Sequence, residues 1–313
     1  MPELRVDALS GRWVLVAADR AARPYTLGAT PTPAAGTPEN CPFCPGHEAM
    51  TPPEVHRTGT GAPDTPGWRV RVVPNLYPAV GGEHAGEGAT GAHEVIVLSP
   101  SHQRSWGQLD DAEATEALTV LRDRTRTHLA GGRTFVQPIV NHGRAAGASI
   151  EHPHAQLVAL DVVPPLVRAR IERFADGGED LVTAELARAM RADLTVVTGA
   201  AVAWCPPAAS SPYEMRVAHR STRARFDEAT DVEVGVVAVA VRDALARLLA
   251  AAGDVPYNLV VHSAPPGPAR FFHWFVEVQP RLTVVAGFEL GTGIFVNTVP
   301  PEHAANALRT TTP

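Results

Sequence analysis

The sequence predicts an α+β fold made of two similar halves. Its 313 residues suggest about two domains. The order strand, turn with a basic residue, long helix, strand, loop and strand occurs once in each half. This repeat has a period of about 120 residues, which is too long for a solenoid and indicates that one domain was duplicated.

In the first half, short apolar segments predict strands and one long segment predicts a helix. The helix is expected at 110–129, because two aspartates open this segment and a glycine pair follows it. Residues 164–190 are helical by composition, whereas residues 28–66 form a loop rich in proline, glycine and threonine. The strands are expected at 13–17, 68–73, 93–98, 134–141 and 155–162.

The second half has the matching elements. Strands are expected at 213–218, 257–262 and 271–280, and a long apolar helix at 227–252. The segment HEVIVLSPSHQRS before the first helix corresponds to YEMRVAHRSTR before the second. We place the domain boundary after residue 180, which gives an N-terminal domain at 1–180 and a C-terminal domain at 181–313.

The composition excludes several classes of protein. The sequence contains no lysine, so all 27 residues counted as Lys or Arg are arginines. This excludes a lysine Schiff base, a P-loop lysine and the strand lysine of kinases. The formal net charge of −6 argues against binding to nucleic acid or to an acidic membrane. The chain has neither an apolar leader nor a run of about 18 apolar residues, so we expect a cytoplasmic protein.

Two of the three cysteines form a C-x₂-C pair, Cys41 and Cys44, in the loop-rich segment. Two thiolates at this spacing can hold one Zn²⁺ together with two further N or S ligands. A redox pair is the alternative, but Pro42 and Pro45 fit poorly with the helix N-terminus that such pairs favour. The sequence has no second C-x₂-C, so the other ligands must be histidine or carboxylate. We expect Cys205 to be a buried apolar thiol.

The most informative motif is EHPHAQ, which contains His152 and His154. On a strand these two side chains point the same way, about 6–7 Å apart. In the preceding segment, Gly143 and Gly147 let backbone N–H groups approach an anion, and Ser149 adds a hydroxyl donor. The motif HPH alone is compatible with two exposed loop histidines. A glycine- and serine-rich loop that leads into it favours phosphoryl chemistry at a histidine nucleophile.

Taken in order, the motifs resemble those of the galactose-1-phosphate uridylyltransferase family, in the histidine-triad superfamily. The resemblance implies tandem duplicated histidine-triad-like domains, each an antiparallel sheet with flanking helices. The first domain would contain the nucleophile and a zinc site, the second would contribute sugar contacts, and the protein would be a homodimer. The matching segments are RVDALSGRWVLVAADRAARPY, PENCPFCPGHE, VRVVPNLYPAV, HEVIVLSPSH, NHGRAAGASIEHPHAQ, YNLVVHSAP, FHW and AGFELGTGIFVN.

The resemblance implies a double-displacement nucleotidyl transfer. His154 would attack the α-phosphorus of an NDP-sugar and expel sugar 1-phosphate, and a second sugar 1-phosphate would then accept the nucleotidyl group. Neutral imidazole suits this role because it is nucleophilic near pH 7. Gln156 stands where hydrolases of the superfamily have a further histidine. Because an amide cannot protonate a leaving group, Gln156 favours a transferase over a hydrolase.

The resemblance also assigns the remaining site residues. One structural zinc ion per chain would be bound by Cys41, Cys44, His102 and His152. The residues matched to substrate contacts are Ser149 and Asn141 near the phosphates, Arg20 and Arg23 on phosphate groups in the same or the partner subunit, Asn75 near the nucleoside, Glu289 on sugar hydroxyls and its aromatic neighbour Phe288.

One departure from the family pattern concerns a second metal, which some members hold with a glutamate and three histidines. His262 and His273 stand at two of the histidine positions. Phe275 replaces the third histidine, and Arg170 falls near the glutamate position. Two histidines beside a phenylalanine make a poor cation site, so we predict that the second metal is absent. His262 and His273 are then expected to be core or pocket histidines.

The leading hypothesis is a UDP-glucose:hexose-1-phosphate uridylyltransferase of galactose metabolism, with galactose 1-phosphate as the family's default sugar. Thr283 and Phe295 replace a lysine and a glutamine of some members in the sugar pocket, and Leu76 replaces an acidic residue beside Asn75. These changes leave the sugar and the base open. The alternatives are a phosphorylase or nucleotidyltransferase that uses an ADP- or GDP-linked sugar, and a non-catalytic, zinc-structured nucleotide-binding protein.

Overall fold

In the computed structural model, a long antiparallel sheet forms the centre of the molecule. The structure describes residues 2–22, 37–82, 86, 89–102 and 105–311. The strands in this part of the chain are β1 (Glu3–Val6), β2 (Trp13–Val16), β3 (His56–Gly59), β4 (Trp68–Pro74), β5 (Gly91–Val97), β6 (Phe135–His142), β7 (His154–Leu160), β8 (Thr195–Val197), β9 (Ala201–Trp204), β10 (Met215–His219), β11 (Tyr257–His262), β12 (Phe275–Pro280) and β13 (Ile294–Asn297). The helices are α1 (Asp111–Ala130), α2 (Pro165–Gly177), α3 (Leu181–Arg191), α4 (Asp231–Ala252), α5 (Gly287–Thr292) and α6 (Pro301–Thr310).

The strand order of the central sheet is β3-β4-β5-β7-β6-β11-β12-β10-β9-β8. The two halves of this order mirror each other. In the first half β5 pairs with β7 and β7 with β6, and in the second half β10 pairs with β12 and β12 with β11. The strands β6 and β11 join the halves at the centre. The predicted α+β class is thereby confirmed. The mirrored order is consistent with a duplication, which stays a prediction, as does the boundary after residue 180.

The helices α1 and α4 pack against each other and cover one face of the sheet. Each begins with a capping box, formed by Asp110 with Glu113 in α1 and by Thr230 with Glu233 in α4. Alternate strand residues, such as Leu157 of β7, point towards these helices and are buried. Among the described residues, no helix has both the length and the hydropathy needed to cross a bilayer.

The arginines of α1 contact neighbouring elements of the fold. Arg122 is buried and donates to a carboxylate oxygen of Asp231 at 2.7 Å. Arg124 forms an ion pair with the buried Glu94 of β5. Arg126 donates to the backbone carbonyl of Asp227. These partners come from β5 and from the second half, and helical spacing alone does not reveal them.

The opposite face of the sheet contains most of the polar side chains. Directly paired residues share a face, and this relation places Asn141 of β6, Asn258 of β11 and Gln156 of β7 on one side. In the second half this face is covered by α2 and α3, through Arg170 and Glu185. In the first half it remains accessible beside β6 and β7.

The first strands of the chain pack on the second half rather than on the first. β1 pairs with β2, and β2 pairs in parallel with β13 near the end of the chain. Asp7, which follows β1, accepts hydrogen bonds from the buried Arg216 of β10 at 2.9 Å. The N-terminal segment therefore connects the two predicted domains.

Candidate functional site

Four side chains that are distant in sequence converge beside the start of β7. The ligand atoms of Cys41, Cys44, His102 and His152 lie within 4.8 Å of one another. The Cys44 Sγ is 3.3 Å from Nδ1 of His102 and 3.6 Å from Nδ1 of His152, and the Cys41 Sγ is 3.7 Å from the latter atom. A tetrahedral ion with usual Zn–S and Zn–N bond lengths separates sulfur and nitrogen ligand atoms by about 3.6 Å. The four residues can therefore hold a metal ion.

The metal group, formed by Cys41, Cys44, His102 and His152, has surroundings that favour binding of a cation. The Nε2–H of His152 donates to the backbone carbonyl of Ser99 at 2.7 Å, which leaves the Nδ1 lone pair directed at the cysteines. Burial lowers the pKa of His152 to about 4, so the ring is neutral at neutral pH. Burial and the neighbouring Cys41 raise the pKa of Cys44 to about 11. A bound dication would reverse the Cys44 shift, because it stabilises the thiolate.

His154 is the first residue of β7 and is buried. Its Nδ1–H donates to the backbone carbonyl of His152 at 2.8 Å, which leaves the lone pair on Nε2. Burial lowers the pKa of the His154 ring and favours the neutral form. Phe43 of the metal-binding loop packs against this ring, with 5.3 Å between the ring centres. The site therefore contains a neutral imidazole whose Nε2 can act as a nucleophile.

Gln156 lies two residues further along β7, on the same side of the sheet as His154. Its Oε1 is 2.9 Å from Nε2 of His93 on the neighbouring β5. The same nitrogen of His93 is 3.2 Å from the side-chain nitrogen of Asn75. From the sequence, Asn75 is expected near a nucleoside, whereas His93 has no predicted role. The pairing of β5 with both β4 and β7 brings the three side chains together, and no motif in the sequence indicates this contact.

A glycine-rich loop connects β6 to β7 in front of His154. Gly143 and Gly147 have positive φ values of 77° and 92°, a backbone conformation that glycine adopts without strain. Ser149 is exposed on this loop. Asn141, near the end of β6, lines a narrow pocket together with His154. Ser149, Cys41 and His102 line a neighbouring cleft of about 310 Å³. Of the residues predicted to contact phosphate, Asn141 therefore lies beside His154, and Ser149 lines the adjacent cleft.

The structure adds Asn258, which has no predicted role in the sequence analysis. It lies directly opposite Asn141 in the pairing of β6 with β11. Its Nδ2 donates to Oδ1 of Asn141 and to the backbone carbonyl of Ala146, both at 2.8 Å. Arg281 in turn donates to Oδ1 of Asn258 at 2.5 Å. The second half thus fixes the position of Asn141. The signal in the sequence is weak, namely a single polar residue in the apolar run YNLVV.

The residues predicted to contact the sugar, Glu289 and Phe288, do not line the pocket that contains His154. Glu289 lines a second cleft, of about 280 Å³, in the second half. Within the described part of the chain, no residue that lines this second cleft also lines the His154 pocket. Phe288 is the exposed neighbour of Glu289 on α5. Arg20 is exposed on a 3₁₀ turn after β2, and Arg23 lies outside the described residues.

The histidines at the positions matched to a second metal contact an arginine and carboxylate side chains. Arg170 of α2 contacts Nδ1 of His262, and its guanidinium lies 5.8 Å from the ring centre of Phe275. The Nε2 of His262 is 3.0 Å from a carboxylate oxygen of Glu277. His273 is buried, and its Nδ1 contacts an aspartate at the start of α3. A guanidinium beside His262 is unfavourable for a metal cation. The absence of a second metal stays a prediction.

Comparisons with known proteins agree on one family. Residues 89–311 match the model of a domain of unknown function, DUF4921. The chain is 31% identical to ADP-glucose phosphorylase of Arabidopsis thaliana, over 98% of this chain and 92% of that protein. It is 27% identical to galactose-1-phosphate uridylyltransferase of Thermotoga maritima, over 99% of each.

The solved structures point the same way. The crystal structure of ADP-glucose phosphorylase from Arabidopsis thaliana with bound ADP-glucose superposes with a TM-score of 0.87 and 29% identity, covering 100% of this chain and 99% of that one. A uridylyltransferase structure superposes with a TM-score of 0.74 and 28% identity, covering 99% and 97% of the two chains. The similarity therefore extends over the whole sheet and both halves.

Proposed function

Because this chain belongs to the galactose-1-phosphate uridylyltransferase family and contains the DUF4921 domain, we propose that it transfers a nucleoside monophosphate from an NDP-sugar to a phosphate acceptor. In the first step Nε2 of His154 attacks the α-phosphorus. A P–N bond forms, the bond from this phosphorus to the bridging oxygen breaks, and sugar 1-phosphate leaves with the electron pair. In the second step an oxygen of the acceptor phosphate attacks the same phosphorus, and Nε2 leaves.

The main support for this proposal is the hydrogen bond from Nδ1 of His154 to the carbonyl of His152. It directs the lone pair to Nε2 before the reaction. In the covalent intermediate the ring has phosphorus on Nε2 and a proton on Nδ1, so it is cationic. The carbonyl oxygen stabilises this charge, and a cationic ring is a good leaving group in the second step.

The neighbouring groups suit a phosphate leaving group. Sugar 1-phosphate leaves as an anion, and because its second pKa is about 6 it needs no proton donor. Gln156 cannot donate a proton, but its NH₂ group can donate a hydrogen bond to a phosphate oxygen. Ser149 and Asn141 offer donors to the other oxygens, the Asn141 amide through its NH₂ group because its Oδ1 accepts from Asn258.

We assign one structural zinc ion per chain to the metal group. A Cys₂His₂ donor set with no open coordination position is typical of structural zinc. Bound zinc would cross-link the loop of Cys41 and Cys44 to His102 after β5 and His152 before β7. Phe43 would then be held against the ring of His154, where it excludes water from one side of the nucleophile.

The proposal also concerns the identities of the NDP-sugar donor and of the phosphate acceptor. UDP-glucose is the donor expected from the sequence, whereas the similarity to ADP-glucose phosphorylase supports ADP-glucose as the first donor to test. An inorganic phosphate acceptor would make the protein a phosphorylase, and a hexose 1-phosphate acceptor would make it a transferase. Both acceptors use the same covalent intermediate, so His154 does not discriminate between them.

Intact-mass spectrometry at neutral pH tests the proposal. The protein is incubated separately with ADP-, UDP- and GDP-glucose, and the mass of the adduct identifies the nucleotide. We expect one donor to give an adduct that is absent from His154→Ala. His303→Ala, on the exposed side of α6, is the control histidine and should retain the adduct. If wild-type protein forms no adduct with any of the donors, the chain is a non-catalytic binding protein and the proposal is wrong.

We further propose a homodimer in which the second cleft of one subunit completes the His154 site of its partner. The separate linings of the two clefts support this arrangement. His154→Ala and Glu289→Ala should each be inactive alone. Subunit exchange between them should restore about a quarter of the wild-type activity, because half of the dimers are mixed and each has one intact site. A monomer in light scattering, or no recovery after exchange, would contradict the arrangement.

A further inference from the structure

His93 is held in a single ring orientation by the turn that follows β4. The backbone N–H of Ala79 donates to Nδ1 of His93 at 3.0 Å. The backbone N–H of Asn75 donates to the carbonyl of the same residue at 2.8 Å. The turn from residue 75 to residue 79 therefore binds both the main chain and the ring of His93.

These contacts determine which ring nitrogen has the proton. Because Nδ1 accepts a hydrogen bond, the proton of the His93 ring is on Nε2. Two side chains lie near this N–H. The Oδ1 of Asn75 already accepts from the backbone N–H of Tyr77 at 2.9 Å, and this bond turns the Asn75 NH₂ group towards His93. Among the described residues, the one acceptor in contact with this N–H is Oε1 of Gln156, at 2.9 Å.

The bond from His93 decides which end of the Gln156 amide faces the site. With Oε1 accepting from His93, the NH₂ group is the free end of the amide. The structure shows no hydrogen bond from this NH₂ group to any of the described residues. A flipped amide would place a carbonyl oxygen where anionic phosphate oxygens bind, and it would remove the oxygen that accepts from the N–H of His93. Both changes are unfavourable.

We propose that His93 is a positioning residue for nucleotidyl transfer, which orients the Gln156 amide so that its NH₂ group donates to the α-phosphate. This inference rests on the proposed function of His154. His93 would act through Gln156 and not on the substrate itself. The turn at Asn75, which is expected near the nucleoside, is thereby connected to a phosphate-contacting residue two strands away, through one imidazole ring.

The test combines three substitutions with a single-turnover measurement of adduct formation at His154. His93→Phe keeps the ring volume and removes the donor. His93→Gln restores a donor, since its Nε2 reaches about as far from the backbone as the Nε2 of histidine. Gln156→Ala removes the group that His93 is proposed to orient, and the double variant His93→Phe/Gln156→Ala completes the cycle.

We expect His93→Phe to slow adduct formation by about 10- to 100-fold, the scale of a misplaced catalytic contact. The apparent affinity for the NDP-sugar should change far less than the rate. His93→Gln should recover most of the loss, and His93→Phe should have no further effect in the Gln156→Ala background. A wild-type rate in His93→Phe, or an equal loss with and without Gln156, would overturn the proposal. The second result would indicate a direct or purely structural role.

A measurement on the free protein separates this inference from the proposed function. The ¹⁵N chemical shifts of the His93 ring, assigned by comparison with His93→Gln, should show a protonated Nε2 and an unprotonated Nδ1. The opposite tautomer would overturn the inference even if His154 forms the adduct. If wild-type protein forms no adduct, the proposed function fails, and with it the role of His93 in transfer, whatever tautomer is found.

Discussion

The ring of His154 and the backbone of His152 are joined by a hydrogen bond of 2.8 Å between Nδ1 and the carbonyl oxygen. The Nδ1 atom of the His152 ring faces the sulfur atoms of Cys41 and Cys44. The metal group and the proposed nucleophile are therefore separated by a single residue, Pro153, which has no N–H and a restricted φ. Any change that releases the ring of His152 should also shift the carbonyl that orients His154.

This relationship predicts a coupled loss in Cys44→Ser. Bound metal should fall from about one ion per chain to none, because three ligands hold zinc far less tightly than four. Adduct formation should slow by about 10- to 100-fold, while the adduct that still forms stays on His154. Metal analysis and single-turnover kinetics measure the two effects. Cys205→Ala, a buried thiol outside the metal group, should retain both metal and rate.

Gly147→Ala tests the loop before the nucleophile. With φ at 92°, an alanine at this position costs about 1–2 kcal/mol. An added Cβ would meet Asn141 Nδ2 at an ordinary 3.6 Å, so backbone strain rather than a clash is the cause. Gly178→Ala, with φ at 69° and open space around it, is the matched control. Both variants should lose similar stability in urea, but only Gly147→Ala should slow transfer. Equal rates in the two variants would argue against a role for the loop.

Arg216→Met should destabilise the fold strongly. Arg216 is buried and donates to Asp7 at 2.9 Å and to Glu185 at 2.8 Å. Because the substitution leaves buried carboxylates without a cation, we expect a loss of about 3–5 kcal/mol in the free energy of unfolding. Arg69→Met breaks an ion pair of 2.7 Å with Glu116, in which the arginine side chain is 63% exposed, and should cost less than about 1 kcal/mol. Comparable losses would contradict this ranking.

Glu233 gives a pH-dependent contribution to stability. Burial raises the pKa of this carboxyl, but hydrogen bonds from Thr230 and Arg223 outweigh the burial and lower it to about 2, against 4.5 for an ordinary glutamate. The charged form is thus favoured in the folded state. Its contribution is complete above pH 4.5 and is lost as the pH falls towards 2.

We therefore expect Glu233→Gln to lower the free energy of unfolding by about 1 kcal/mol at pH 7, the scale of a helix cap. Urea unfolding at pH 7, 5 and 3.5 should show the same difference from wild type at the first two values and a smaller one at the third. Glu172→Gln on α2, an exposed glutamate, removes the same charge and should show little difference at any pH. A constant difference across this range would contradict the assignment.

The longer elements could be predicted from the sequence because their signals are local. The helix expected at 110–129 is α1, Asp111–Ala130, whose capping aspartate and terminal glycine are both visible in the sequence. The strand expected at 257–262 is β11, Tyr257–His262. The three-residue strand β8 and the four-residue strand β13 are not among the strands expected from the sequence. They are too short to show an alternating pattern, and pairing with distant strands determines their conformation.

The candidate site was predictable only where a motif marks it. The spacing of Cys41 and Cys44 indicates a metal site, but the separation of these residues from His102 and His152 has no characteristic length. Those two ligands came from the family resemblance. His93 could not be found from the sequence, because its role depends on a turn contact and on the pairing of β5 with β7.

The strands β7 and β12 occupy equivalent places in the two mirrored halves of the sheet, but they begin with different residues. β7 begins with His154, whereas β12 begins with Phe275, on the same side of the sheet. Phenylalanine has no atom that can attack phosphorus, and Arg170 already lies against its ring. Of these two equivalent positions, the one in the first half therefore has the proposed histidine nucleophile and the one in the second half does not. Covalent labelling should therefore saturate at a single nucleotide per polypeptide, and the second half contributes by positioning groups around the site, as Asn258 does for Asn141.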